Sequence, residues 1–259
     1  DDLGLWGPGA EGRVDSRGTL QGPKESPAVE AECTAKGLRY EDNGARELTL
    51  DLKAGVHPDS PFEFNLSAAD LSLGGHRLHA ALAGRGTRAG HRMKGWIRGL
   101  IPVEGKSPVS ARLDFGAEGG LKGETWAGNL DQFDFDAPPV GRWVLRRPAA
   151  LRLGKTGGEL ELACWGSEAT DWCLQARFTG AGDWRFVTEL SHLPLARFKE
   201  AVPEAVSVSG ILNVTADFSG QGGRIDAGRF ELNAAEAGLA YRASDGTVLR
   251  FKPDPLAIH

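Results

Sequence analysis

The sequence predicts an all-β fold, a long antiparallel meander. Three observations support this: apolar residues recur with a period of two, turn residues interrupt them at short intervals, and a helical period replaces the alternation in only one place. The alternating runs are Leu48, Leu50, Leu52; Phe62, Phe64, Leu66, Ala68; Leu78, Ala80, Leu82; Val109, Ala111, Leu113, Phe115; and Val206 through Phe218 at every second residue. Charged and hydroxylated residues fill the positions between, so each strand has one greasy and one wet face. Asp42-Asn43-Gly44, His57-Pro58-Asp59, Gly74-Gly75, Gly119-Gly120, Gly157-Gly158 and Asp245-Gly246 mark turns. Most connections are too short for a crossover helix, so consecutive strands are expected to pair antiparallel.

Two strands change phase. Trp126, Gly128 and Leu130 give way to Phe133 and Phe135, and Ile225 and Ala227 give way to Phe230, Leu232 and Ala234. A bulge at each place would return the apolar set to one face. The exception to the β pattern is Leu193 to Pro203, with proline at both ends and Leu195, Phe198 and Val202 at helical spacing. It predicts one short amphipathic helix near 194–202, of two to three turns.

Composition narrows the function classes. Of 259 residues 41% are hydrophobic, enough for a sizeable buried surface, and the 36 Gly and 14 Pro favour short strands and turns. The net charge of -5 argues against a polyanion, so no nucleic acid is expected as partner. No apolar run approaches the roughly 20 residues of a membrane-spanning helix. The first residues, Asp1-Asp2-Leu3-Gly4-Leu5-Trp6, have neither the charge nor the apolar core of a signal peptide. The chain is read as one elongated segment, 1–259, with a subdivision near 116–120.

Cys164 and Cys173 stand on the two arms of a hairpin whose tip carries Gly166, Ser167, Glu168 and Asp171. Opposite Cβ atoms in paired strands lie close enough for a disulfide, so these two are expected to be bonded and Cys33 free. Spacing alone does not fix the redox state, and two reduced core cysteines are the competing reading. A disulfide would imply an oxidising compartment.

No catalytic constellation emerges, and no cofactor is implied. His76 and His79 would point to opposite faces of a strand, which works against a metal site with His91. Of Asp131, Asp134 and Asp136, only the last two share a face, as a solvated strand surface would have it. The glycine clusters lack the helix that phosphate cradling needs, and there is no Gly-x-Ser-x-Gly elbow. The chain is not expected to be an enzyme or to hold a metal.

Several segments taken in order resemble a known family. They are Trp126-Ala127-Gly128-Asn129-Leu130; Gly141-Arg142-Trp143-Val144-Leu145 leading to Pro148-Ala149; the Cys164 to Cys173 hairpin; Leu193-Pro194-Leu195; and Val202-Pro203 followed by Ser209-Gly210-Ile211-Leu212. This order resembles the interior of the TamB family of AsmA-like proteins. Upstream, Gly12 to Gly22 and Ala83 to His91 are similar to that family's degenerate strand repeats. The chain lacks the family's amino-terminal membrane anchor and carboxy-terminal conserved region, and is therefore expected to be an interior segment.

The resemblance implies a β-taco, a sheet rolled into an open trough with an apolar concave face. It implies a periplasmic setting, a full-length protein anchored in the inner membrane, and a TamA-like outer-membrane barrel as partner. It also implies two roles: a non-enzymatic conduit carrying phospholipid acyl chains between the membranes, or a scaffold for outer-membrane protein assembly that works by β-strand augmentation. Sixteen or so strands at about 4.8 Å would extend ~75 Å, room for several acyl chains end to end. On this reading Leu212, Val214 and Phe218 line the groove, with Leu48, Leu50, Leu52, Phe62, Phe64 and Leu66 next. The same residues could form an ordinary sandwich core.

Overall fold

A computed structural model of the chain describes residues 10–57, 59–74, 76–103, 106–138, 140–199, 202–203, 205–242, 247–251 and 256–258. Among them almost every residue outside a turn is in a strand, as the alternation requires. Backbone contacts divide the chain into two units, Asp1–Phe135 and Asp136–His259.

The first unit contains β1 (Ala10–Gln21), β2 (Ala28–Tyr40), β3 (Asn43–Gly55), β4 (Phe62–Leu73), β5 (His76–Gly86), β6 (His91–Val103) and β7 (Lys106–Lys122), and it ends within β8 (Thr125–Ala137). Each strand from β1 to β7 pairs antiparallel with the next, and β8 follows on β7. Gly116 to Gly120, where the sequence places a subdivision, lie inside β7.

The second unit contains β9 (Gly141–Leu145), β10 (Ala149–Gly154), β11 (Gly157–Ser167), β12 (Thr170–Thr179), β13 (Asp183–Pro194), β14 (Val206–Gln221), β15 (Arg224–Arg242), β16 (Val248–Phe251) and β17 (Leu256–Ile258). β9 and β10 both pair with β11, and β16 and β17 both pair with β15. Between them runs the antiparallel meander β11-β12-β13-β14-β15.

Bulges keep the faces consistent. In β15 the register slips between Ala227, opposite Ser219, and Ile225, opposite Gly220. The extra residue, Asp226, brings Ile225 onto the face of Gly228, Phe230, Leu232 and Ala234, as the phase change in the sequence requires. A slip between Leu160 and Ala163 does the same in β11, but it separates Leu162 from Leu160 and leaves Leu162 exposed. Asp70 in β4 and His192 in β13 sit in the left-handed region at φ +49° and +58°, each at a register slip. Asp70 is held there by Arg46, with Nε 2.8 Å from its carboxylate, and by its own N–H donating to Nδ1 of His79 at 3.4 Å.

The segment near 194–202 differs from expectation. Among the described residues it is a single 3-10 turn, Leu195–Phe198, rather than a helix of two to three turns, and residues 200 and 201 lie outside the described residues. Pro194 still belongs to β13, opposite Ile211, so it does not serve as the first helical residue. The Lys199 N–H then donates to the Ala196 carbonyl, three residues back, at 3.2 Å. This turn packs against β14.

Aromatic rings lie over glycines of the neighbouring strand. Phe64 is opposite Gly84, Phe115 opposite Gly95, and Phe218 opposite Gly228. A Cβ added to Gly84 would come within 2.4 Å of the Phe64 ring, and one added to Gly95 within 2.5 Å of Phe115. The ring thus fills the space that a side chain would occupy, and the apolar face stays thin. Gly84→Val should destabilise the first unit by about 1–3 kcal/mol through overpacking, measurable as a lower urea midpoint; an unchanged midpoint would mean that Phe64 moves aside freely.

Candidate functional site: a one-sided apolar sheet

Strand pairing assembles the apolar residues of the first unit into continuous rows. One row runs Cys33, Leu50, Leu66, Leu82, Gly95, Phe115 across β2 to β7. A second runs Leu52, Phe64, Gly84, Met93, Ala117, and a third Leu48, Ala68, Ala80, Ile97, Leu113. The next begins Ala54, Phe62, Gly86, His91, and Phe62 stacks on Phe64 with ring centroids 6.1 Å apart. All six candidates from β3 and β4 therefore lie on one face as a single patch: Leu48, Leu50, Leu52, Phe62, Phe64 and Leu66.

The opposite face is charged. Arg17 pairs with Glu32, Lys53 with Glu30 at 3.3 Å, Lys36 with Glu47 at 3.8 Å, and Arg92 with Glu118. Thr49 and Ser67 share a hydrogen bond of 2.6 Å. These pairs are exposed to water and add little stability, but they fix which side of the sheet faces solvent.

The apolar face is not covered as a core would be. Among the described residues of the first unit the buried hydrophobic residues are Ala35 and Ala45, while Leu48, Leu50, Leu52, Phe62 and Phe64 are half-buried and Leu66 is 37% exposed. A sandwich would bury such leucines and phenylalanines completely.

In the second unit Leu212, Val214 and Phe218 alternate on one face of β14, each opposite an apolar or small residue: Leu193 and Ala234, Leu190 and Leu232, and Phe186 and Gly228. Here, unlike the first unit, part of the face is closed. Trp143, Leu145, Ala149, Ala163, Trp165, Leu193, Ala216 and Ala234 are buried. Trp165 stacks on Trp172 at 4.8 Å, and Trp143 meets Trp172 edge-on at 6.3 Å. The indole N–H groups find acceptors: Trp172 donates to Thr188 Oγ1 at 2.8 Å and Trp143 to the Val140 carbonyl at 3.0 Å. On the other face Cys164 and Cys173 stand opposite one another with Cα atoms 4.0 Å apart and are joined by a disulfide, while Cys33 is free. That face also holds Arg185 beside Asp217 at 2.7 Å, and the hydrogen bond from Arg185 keeps the Asp217 carboxyl below the usual carboxylate range.

His91 and His79 go to structural partners. His91 Nε2 accepts the Trp126 indole N–H at 2.8 Å, so its proton is on Nδ1, which donates to the Thr87 carbonyl at 3.0 Å. His79 lies against Asp70. Among the described residues no group of three His, Cys, Asp or Glu side chains is arranged to hold a metal ion.

Met93, Ile97, Leu82, Leu113 and Phe115 extend the patch and were not singled out as candidates by sequence reading. The signal in β6 is faint because Gly95 and Gly99 occupy two of its apolar-face positions, and Trp96, its largest side chain, falls on the wet face with Ala81 and Asp114. Among the described residues no helix is long and apolar enough to cross a membrane. A family model described as TamB, N-terminal domain, matches residues 1–257.

Proposed function

The chain belongs to the TamB family, and from that premise we propose that it holds phospholipid acyl chains against its apolar sheet faces and passes them between the inner and outer membranes. The family serves outer-membrane assembly or lipid transport as part of the translocation and assembly module. What carries the lipid reading is the first unit's sheet: charged on one side, apolar on the other, with Leu48, Leu50, Leu52, Phe62, Phe64 and Leu66 left half-covered. Apolar patches of that extent on a protein surface mark a place where something greasy binds.

In this reading each unit's apolar face is the wall of an open trough, a β-taco. Each methylene moved from water onto that wall gains about 0.8 kcal/mol, while the phosphate headgroup stays in water at the open side. Leu48, Leu50 and Leu52 of β3 form one rung and Phe62, Phe64 and Leu66 of β4 the next, so a chain moving from strand to strand passes between near-equal sites without a deep trap. In the second unit Leu212, Val214 and Phe218 take the same part. The disulfide on the wet face suits an oxidising compartment, the periplasm, and the outer-membrane partner would be a TamA-like barrel.

Lipid extraction and mass spectrometry on the purified chain test this. The wild type should carry phospholipid in stoichiometric amount. Leu52→Asp with Leu66→Asp, and separately Leu212→Asp with Phe218→Asp, should each lose much of it while far-UV circular dichroism stays unchanged. A wild type free of lipid, or variants that keep their full load, would sink the conduit reading.

A further inference from the structure

We propose that the second unit carries a separate binding site for a phosphate group, formed by Arg142, Arg197 and Lys199. These side chains line a cleft of about 830 Å³ together with Gly141, Gly166 and Glu168. Against three cations the lining supplies one carboxylate, in a chain whose net charge is -5.

Arg197 is set in place before any ligand arrives. Its side chain is only 11% exposed, its guanidinium lies over the Trp143 ring at 5.8 Å, and Nη1 donates to the Val140 carbonyl at 3.1 Å. Gly141, at φ +79°, has no Cβ to stand beside that guanidinium; one built there would be 3.9 Å from Cζ. Fixing a guanidinium on a ring and a carbonyl removes most of the rotamer entropy that binding would otherwise cost.

The remaining donor edge already holds an oxyanion. Nη2 of Arg197 meets Glu168 Oε2 at 3.3 Å, and Glu168 is 81% exposed on the turn between β11 and β12, at φ +54°. So exposed a carboxylate on a tight turn can give way to a stronger anion. A planar carboxylate satisfies one guanidinium fork, whereas the tetrahedral oxygens of a phosphate point in several directions and can meet Arg142 and Lys199 as well. A lipid headgroup and a free phosphate share this chemistry. The site stands whether or not an acyl chain occupies the apolar faces.

The test uses the full chain and two probes: inorganic phosphate by titration calorimetry, and cosedimentation with phosphatidylcholine vesicles with and without phosphatidylglycerol. Arg142→Gln with Lys199→Gln should weaken binding of the effective probe about tenfold or more. Glu168→Gln, which removes the competing carboxylate, should tighten it several-fold. Both cations are at the surface, so near-UV circular dichroism should not change; Glu168→Gln keeps the test decisive if the double variant misfolds. Binding of phosphate alone assigns a free anion, and binding only to anionic vesicles assigns a headgroup. No binding of either probe by the wild type and by Glu168→Gln, or affinity indifferent to all three substitutions, would overturn the site.

Discussion

Trp165→Ala should remove about 3–5 kcal/mol from the stability of the second unit, the largest single effect expected in the chain. Trp165 is 2% exposed, lies flat against Trp172 at 4.8 Å, and stands opposite Leu145 on the far side of its strand. Deleting the indole leaves a cavity that the neighbours cannot fill, because Trp172 is tied to Thr188 and backed by Trp143. Urea denaturation followed by near-UV circular dichroism measures the loss. A change below about 1 kcal/mol would mean that the aromatic cluster is ornamental to the fold. Trp165→Phe, which keeps most of the packing, should recover much of the difference.

Opening the disulfide is the second large effect. Cys164→Ser with Cys173→Ser should cost about 2–3 kcal/mol, the loop-closure value for a bridge spanning so few residues. The bridge lies directly behind the Trp165–Trp172 pair, one register position along the same two strands. It therefore pins the register on which that stack depends. Reduction of the wild type with dithiothreitol should reproduce the shift, whereas Cys33→Ser should leave the midpoint where it was. If the double variant unfolds at the wild-type midpoint, the hairpin holds its register through pairing and aromatic contact alone.

Both effects belong to the second unit, and this bears on function. In the first unit Phe64, Phe62, His91 and Trp126 touch in series but none of them is buried; its large apolar side chains are half-exposed, and it relies on backbone pairing and on rings laid over glycines. A sheet held in that way can keep one face free for a ligand. The second unit combines an anchored region around Trp143 and Trp165 with the partly open stretch of Leu212, Val214 and Phe218.

Much of the fold was legible because strand period and turn chemistry are local. The runs through Leu48, Leu50, Leu52 and through Phe62, Phe64, Leu66 are strands with one face, and antiparallel pairing of neighbours follows from short connections. The bulge at Asp226 could be read from the phase change, and the cysteine pair from its place on the hairpin arms. The helix near Pro194 was misread because helix propensity and proline spacing are local signals too. Pairing of Pro194 with Ile211 outcompetes them and leaves a single turn among the described residues.

The sequence by itself therefore determined the strands, their facing and most of their neighbours, since side-chain alternation and turn residues act within a few positions, whereas β9 and β17 pair with β11 and β15, past the strand next to them in the chain. Tertiary structure alone decided which apolar residues are buried and which stay uncovered. Leu50 and Ala216 both alternate with polar neighbours, yet one is half-exposed on an open face and the other is buried within β14. The difference depends on what lies above the sheet, which is set by side chains far apart in the chain. The same holds for the cation cleft: Arg142 and Arg197 meet only because β9 and the 3-10 turn are folded to the same end of the second unit. Burial is a property of the assembled surface, and no local period encodes it.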